Sequence, residues 1–134
     1  MNIRKVYIHC SASDVGEHDD ISVIDRWHRE RGFLMVGYHL FMKRDGSVQT
    51  GRVFNTKGAH VKFHNDRSIG FCLSGNIPNE KQRKELVKWC LNLAHAYRLN
   101  ASDFIGHYEI DPNKTCPNMD MKNFREMLNK EGLK

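Results

Sequence analysis

A hairpin signal in the first half of the chain restricts the folds that this sequence can adopt. The segment YHLFMKRDGSVQTG, residues 38–51, places Asp45-Gly46 between two arms rich in β-forming residues. Asp-Gly is a favoured two-residue turn, and the strands that it joins run antiparallel. The segments on either side alternate between strand and helix patterns, as in folds with parallel pairing. The sequence therefore predicts a mixed sheet rather than a purely parallel one.

Three segments space their apolar residues as an amphipathic helix does. The longest covers residues 79–97 and opens with Asn79 and Gln82 in the pattern of a capping box. An earlier helix with an aspartate cap is predicted over residues 20–30. The last helix begins at Asp120, and the apolar residues expected to face inward on it are Phe124, Met127 and Leu128.

Short β-rich segments at residues 4–9, 68–75 and 103–107 supply the other strands. Residues 51–66 show no periodicity and are predicted to form a loop. A chain of 134 residues fits one domain, and no repeat, low-complexity stretch or linker divides it. We therefore predict a single α/β domain over residues 1–134, with a central mixed β-sheet flanked by helices.

Composition limits the cellular locations and the partners expected for the protein. No run of about 18 apolar residues occurs, so no membrane insertion is predicted. The first residues, MNIRKVYIHCSAS, lack the apolar middle of a secretory signal. The protein is therefore expected in the cytoplasm before release, although a secreted form with a further leader stays open. The net charge of +5 is scattered and typical of a solvated surface, so nucleic acid is not an expected partner. A monomer is expected.

His9, His107 and Cys116 are candidates for one metal site. His9 ends the first predicted strand, where loops open and sites are commonly built. His107 and Cys116 lie nine residues apart in one loop. Zinc binds imidazole nitrogen and thiolate sulfur, and three protein ligands leave a fourth position for the water of a catalytic site. The spacing lacks a paired C-x-x-C signature, so structural roles for these residues stay open at this point.

The cysteines number four, and their even count permits two disulfides. A domain of this size does not need them, and free thiols are expected. Cys72 and Cys90 stand in apolar strand-like and helix-like contexts and are predicted to be buried. Cys116 differs because it stands in a polar loop directly before a proline.

Five segments, in this order, resemble the zinc N-acetylmuramoyl-L-alanine amidases, the superfamily of phage amidase-type lysozymes and animal peptidoglycan-recognition proteins. They are YIHCSAS (7–13), IDRWHRERGFLMVGYHLFMKRDGSVQTGR (24–52), GAH (58–60), NDRSIGFCLSG (65–75) and GHYEIDPNKTCP (106–117). The likeness is strongest to the phage lysozyme branch, whose third metal ligand is cysteine. The resemblance implies an amidase/peptidoglycan-recognition-protein-like fold. It also implies hydrolysis of the amide bond between N-acetylmuramic acid and L-alanine in bacterial peptidoglycan.

The resemblance also implies a ligand set. His9, His107 and Cys116 fall on the family's zinc ligands, with one zinc ion per chain. Peptidoglycan and its muramoyl peptides are the implied partners.

Four further positions carry roles by resemblance alone. Tyr38, from the GYH motif, and Lys114, two residues before the cysteine, fall on residues that assist catalysis in the family. His60 and Asn65 fall where the family's groove meets the substrate. Tyr38 could instead be a core tyrosine and Lys114 a solvated loop lysine.

Two other functions stay open at this stage. The same fold serves non-catalytic peptidoglycan-binding modules, which in this superfamily are marked by loss of the cysteine ligand. Some phage relatives also regulate a host RNA polymerase, and resemblance alone cannot transfer that role.

Overall fold

A five-stranded sheet and three α-helices make up the fold in our computed structural model, which describes residues 2–133. The strands are β1 Lys5–Cys10, β2 Leu40–Met42, β3 Val48–Thr50, β4 Ser68–Leu73 and β5 Phe104–Gly106. The helices are α1 Ile21–Glu30, α2 Glu80–Tyr97 and α3 Met121–Lys130. Each element that the sequence predicted is present, with ends shifted by one or two residues.

The sheet is mixed, as the hairpin signal predicted. Its strand order is β3-β2-β4-β1-β5. β1 lies parallel to both β4 and β5, and β2 lies parallel to β4. The hairpin pair of β2 and β3 is antiparallel. The central strands therefore end at the same edge of the sheet, where loops can converge on a site.

Both faces of the sheet are covered, and the alternation of side chains decides which residues meet which layer. Val6 and Ile8 of β1 belong to the main core under α2 and α3. On the opposite face, Cys72 of β4 packs with Ile24 of α1 in a smaller cluster. His9 pairs in register with Cys72, so the alternation places it on the α1 side of the sheet.

The start of α2 is fixed to the sheet by the predicted capping box. The Asn79 side chain accepts from the Gln82 backbone N–H at 2.8 Å, and Gln82 accepts from the Asn79 backbone N–H at 3.1 Å. Gln82 is fully buried, and its amide also donates to the carbonyls of Met42 and Ser74 at 3.3 and 3.0 Å. One side chain thus closes the helix end and ties it to two strand ends.

One prediction for α3 was wrong. Met127 is 51% exposed, whereas Phe124 and Leu128 are buried as predicted. Met121, which the sequence analysis did not place, is also fully buried. At about 100° per residue, Met127 lies beyond Phe124 on the side away from Met121 and Leu128, so it falls at the edge of the apolar face.

The burial of two cysteines was predicted correctly. Cys72 and Cys90 are buried, and all four cysteines are free thiols. Among the helices within residues 2–133, none combines the length and apolarity needed to cross a membrane.

Candidate metal centre

The ends of two neighbouring strands bring together the residues predicted as metal ligands. His9 lies near the end of β1, and His107 follows β5 directly in a short 3-10 turn, His107–Glu109. Because β1 and β5 run parallel, their carboxyl ends lie at one edge of the sheet. Cys116 returns to this edge from the loop that follows the turn.

The three candidate ligand atoms have the spacing of a metal coordination shell. The Nδ1 atoms of His9 and His107 are 3.1 Å apart, and Sγ of Cys116 lies 3.4 Å from Nδ1 of His107. All three ligand atoms lie within 4.8 Å of one another. Ligand atoms on a tetrahedral zinc ion, with bonds of ~2.0–2.3 Å, are about 3.3–3.6 Å apart. The donor set of two imidazoles and one thiol therefore fits zinc.

The electrostatics of the centre favour the protonation states that bind a metal. The side-chain hydrogen bond with Cys10 lowers the pKa of the Cys116 thiol, and bonds with His107 and His9 add to this against the effect of burial. The hydrogen bond to Cys116 raises the pKa of Cys10, which therefore remains the thiol donor. Burial lowers the pKa of His9. A thiolate and a neutral imidazole are the forms that coordinate metal ions.

The loop that carries Cys116 is clamped from two sides. Both terminal nitrogens of Arg125 on α3 donate to the Glu109 carboxylate, at 2.8 and 2.7 Å. Glu109 also accepts from the backbone N–H of Gly106 at 2.8 Å. The backbone N–H of Tyr108 donates to the carbonyl of Cys116 at 3.0 Å. A paired, charge-assisted contact of this kind holds a loop in one geometry.

The two residues predicted to meet substrate lie in the loop beside the centre. Nδ1 of His60 is 3.0 Å from Nε2 of His9. Oδ1 of Asn65 accepts from the backbone N–H groups of His60 and Val61, each at 2.8 Å. Their contact with substrate stays a prediction, and the structure shows that they also shape the loop against His9.

Tyr38 lies beside the centre, and its role in catalysis stays a prediction. Its ring centroid is 5.1 Å from that of His9, and the side chain is half-buried. Burial, together with the nearby sulfur atoms of Cys72 and Cys116, raises the pKa of Tyr38 well above 10. The phenol therefore keeps its proton at neutral pH and can donate it in a hydrogen bond.

Helix α1 fixes the segment that presents Tyr38. The backbone N–H of Gly37 donates to Nδ1 of His28 at 2.8 Å, and that of Val36 donates to Asp25 at 2.7 Å. Gly37 also has no room for a side chain, because a Cβ atom there would lie 2.0 Å from a neighbouring carbonyl oxygen. The approach of Tyr38 to the centre is thus set by α1.

Lys114 is exposed and is not drawn into the cluster of ligands. Its backbone N–H donates to the Asp111 carbonyl at 3.1 Å, which sets the turn before Cys116. Besides burial, the positive charge of Lys114 contributes to the lowered pKa of His9. Its charge therefore acts on the site, while its side chain lies at the surface.

His39 has a packing role beside the site. It is fully buried, its Nδ1 accepts from the Gly70 backbone N–H at 3.0 Å, and its Nε2 donates to the Thr56 carbonyl at 2.7 Å. Both ring nitrogens are thus used to join β4 to the loop over residues 51–66.

Three residues near the site were not predicted from the sequence. They are His28, Cys10 and Asp111. The Asp111 carboxylate lies 3.9 Å from Nε2 of His107. A carboxylate four residues after a candidate ligand histidine was a usable signal for Asp111, because metal-binding histidines commonly have such an outer partner. No sequence signal indicated the other two.

Comparison with known proteins places these features in a family. The family model described as N-acetylmuramoyl-L-alanine amidase matches residues 1–119. The endolysin of Escherichia phage T7 is 35% identical over 130 residues, which cover 90% of this chain and 84% of that protein.

Solved structures show the same architecture. The N-acetylmuramoyl-L-alanine amidase LysC from Clostridium intestinale URNW is similar with a TM-score of 0.85 and 25% identity, covering 96% of this chain and 86% of that one. Drosophila PGRP-LB is similar with a TM-score of 0.75 and 25% identity, covering 93% of this chain and 79% of that one.

The acid stability of the fold should depend on His28. Burial, with Arg31 and Arg52 nearby, lowers the pKa of His28 from 6.5 to about 4. Protonation therefore favours the unfolded chain. Stabilisation by the neutral ring is complete above pH ~6.5 and is lost as the pH falls towards ~4, which amounts to at most about 3 kcal/mol. His28→Asn keeps a hydrogen-bond acceptor near the Nδ1 position and removes this titration.

Urea unfolding of the wild type and His28→Asn between about pH 7.5 and about 4.5 measures the effect. We expect the wild type's advantage in free energy of unfolding to shrink as the pH falls. His95→Asn, at an exposed position of α2, serves as the control and should stay within about 0.5 kcal/mol of the wild type. A constant gap between the wild type and His28→Asn would contradict the role given to His28.

Proposed function

Because this chain belongs to the N-acetylmuramoyl-L-alanine amidase family, we propose that it cuts peptidoglycan with one zinc ion held by His9, His107 and Cys116. The chain is an amidase, and the bond that it hydrolyses joins N-acetylmuramic acid to L-alanine. The observation that carries the zinc assignment is the convergence of two imidazole nitrogens and one thiol at distances of 3.1 and 3.4 Å.

The ligand set suits a catalytic rather than a structural ion. Three protein ligands leave one coordination position for water or substrate. A zinc ion held by these three residues would supply a Lewis acid and an acidified water as the nucleophile. Two neutral imidazoles and one thiolate would leave a net charge of about +1 at the site, which favours that acidity. The residues around the ligands are proposed to supply proton transfer and stabilisation of the oxyanion.

Tyr38 is proposed to assist proton transfer during the hydrolysis. The hydrolysis expels an amine, and the amine nitrogen must gain a proton because an amide anion is a very poor leaving group. The phenol of Tyr38 keeps its proton beside His9. Its hydroxyl can orient the attacking water and relay a proton towards the leaving nitrogen.

Lys114 is proposed to stabilise the charge that develops on the carbonyl oxygen. Its ammonium is carried by the same loop as Cys116, two residues away, and its side chain is exposed at the surface. A cation aimed at an oxyanion lowers the barrier more than it strengthens substrate binding.

Substrate contact is proposed along the loop that carries His60 and Asn65. We further propose that the chain works as one amidase domain and as a monomer, on the cell wall, after release from the cytoplasm. Neither alternative function is favoured. A non-catalytic binding module would not need the cysteine, and Cys116 lies with the two histidines. No observation on the described residues supports contact with a polymerase.

Zinc content provides the first test. The wild type should carry about one zinc ion per chain, and removing it with a chelator should abolish hydrolysis until zinc is restored. Cys116→Ala should lose the metal and the activity, because a thiolate donor is gone. Cys90→Ala, which removes a buried thiol of α2, is the matched control and should keep both. Undiminished zinc in Cys116→Ala would refute the ligand set, and full activity of metal-free protein would refute the mechanism.

Kinetics of Lys114→Ala provide the second test. Loss of one oxyanion donor typically lowers turnover by about 10²–10³, or roughly 3–4 kcal/mol of barrier. We expect this loss in kcat on a defined muramoyl peptide, with KM changed far less and zinc retained. Lys122→Ala, an exposed lysine on α3, should behave as the wild type. A wild-type rate for Lys114→Ala would make the lysine a solvated loop residue, and loss of zinc would make its role structural.

A further inference from the structure

His60 stands in a chain of hydrogen bonds that ends at a proposed metal ligand. Its Nδ1 lies 3.0 Å from Nε2 of His9, and its Nε2 lies 3.2 Å from Oγ of Ser68. The Ser68 hydroxyl in turn donates to the carbonyl of His64 at 2.9 Å. This chain of hydrogen bonds therefore runs from a backbone carbonyl, through two side chains, to Nε2 of His9.

The backbone carbonyl at one end of this series sets the direction of all its hydrogen bonds. A carbonyl oxygen only accepts, so the single hydroxyl proton of Ser68 is committed to it. Oγ of Ser68 then accepts from Nε2–H of His60, and Nδ1 of His60 is left with a lone pair. That lone pair accepts Nε2–H of His9. Nδ1 of His9, 3.1 Å from Nδ1 of His107, therefore carries no proton and presents its lone pair to the metal position.

The ring of His60 lies in a narrow space that fits an imidazole closely. A Cβ atom on Gly70 would lie 2.6 Å from Cγ of His60, and one on Gly58 would lie 2.6 Å from its Cδ2. Oδ1 of Asn65 fixes the backbone N–H groups of His60 and Val61. The backbone and the ring of His60 are thus both fixed. This arrangement holds its Nδ1 against Nε2 of His9.

We propose that His60 is a positioning residue, which fixes the tautomer and the ring orientation of His9 for zinc binding. The inference rests on the proposed zinc centre. Both ring nitrogens of His60 are engaged inside the protein, so it acts through His9. Outer partners of metal-binding histidines are usually carboxylates, carbonyls or water. A neutral imidazole orients the ring without adding negative charge beside the metal.

Two amide substitutions separate the contact with His9 from the contact with Ser68. The amide oxygen of His60→Asn can take the position of Nδ1 and accept from His9. The longer amide of His60→Gln reaches the position of Nε2 and Ser68 instead, and leaves Nε2–H of His9 without its acceptor. The measurement is the zinc dissociation constant, by competition with a chromogenic chelator, with the visible spectrum of the cobalt-substituted protein as a second readout.

We expect His60→Gln to bind zinc about 10–100-fold more weakly than the wild type, because the loss of an outer partner has that cost. His60→Asn should stay within about threefold of the wild type and keep its cobalt spectrum. His64→Asn makes the same exchange on the same loop, at a side chain that contacts none of the three ligands among the described residues, and should bind zinc as the wild type does.

The inference is overturned if His60→Gln binds zinc as tightly as the wild type, or if both amide variants are equally weak. Should His60→Gln fail to fold, Ser68→Ala tests the chain from its far end, and unchanged zinc affinity there overturns the inference. A wild type that binds no zinc would overturn the proposed function first, and the inference with it.

Discussion

The parallel pairing of β1 with β5 is the constraint on which the site depends. It brings two strand ends to one edge of the sheet, and these ends carry His9 and His107. A loop of nine residues then needs only to fold back once for Cys116 to join them. The hairpin of β2 and β3, at the opposite side of the sheet, leaves this edge free and presents Tyr38 from the segment just before β2.

The cluster of donors is held by groups that lie outside it. Two imidazole nitrogens and a sulfur approach one another at 3.1 and 3.4 Å, and the surrounding groups hold them at these distances. The ion pair of Arg125 with Glu109 clamps one side. His28 and His60 hold the Tyr38 segment and the His9 ring on the other. The fold thus keeps the proposed ligands in place in advance, which would lower the cost of binding a metal ion.

The sequence predicted what depends on local chemistry. The Asp45-Gly46 turn and the capping box at Asn79 each specify their own structure within a few residues, and both are present. The family resemblance proposed His9, His107 and Cys116, and the structure brings them together. Met127 was misplaced because the apolar stripe of a helix has edges that a pattern of apolar residues does not define.

Contacts between segments that lie far apart in the sequence could not be predicted from it. His60 and His9 are 51 residues apart, and their hydrogen bond depends on the narrow space that Gly58 and Gly70 leave for the imidazole ring. His28 acts on Gly37 only because α1 packs under that segment. Side chains of this kind carry no local signature, since their roles arise from the path of the backbone around them.

We propose that this chain cuts the bond between muramic acid and L-alanine with a metal ion. Mass spectrometry of purified muropeptides, digested with the zinc-loaded and the metal-stripped protein, is the decisive test. We expect muramic acid with a free lactyl carboxylate and a peptide with a free L-alanine amino group, from the zinc-loaded protein alone. Cleavage within the glycan or within the stem peptide, or equal products from both preparations, would contradict it.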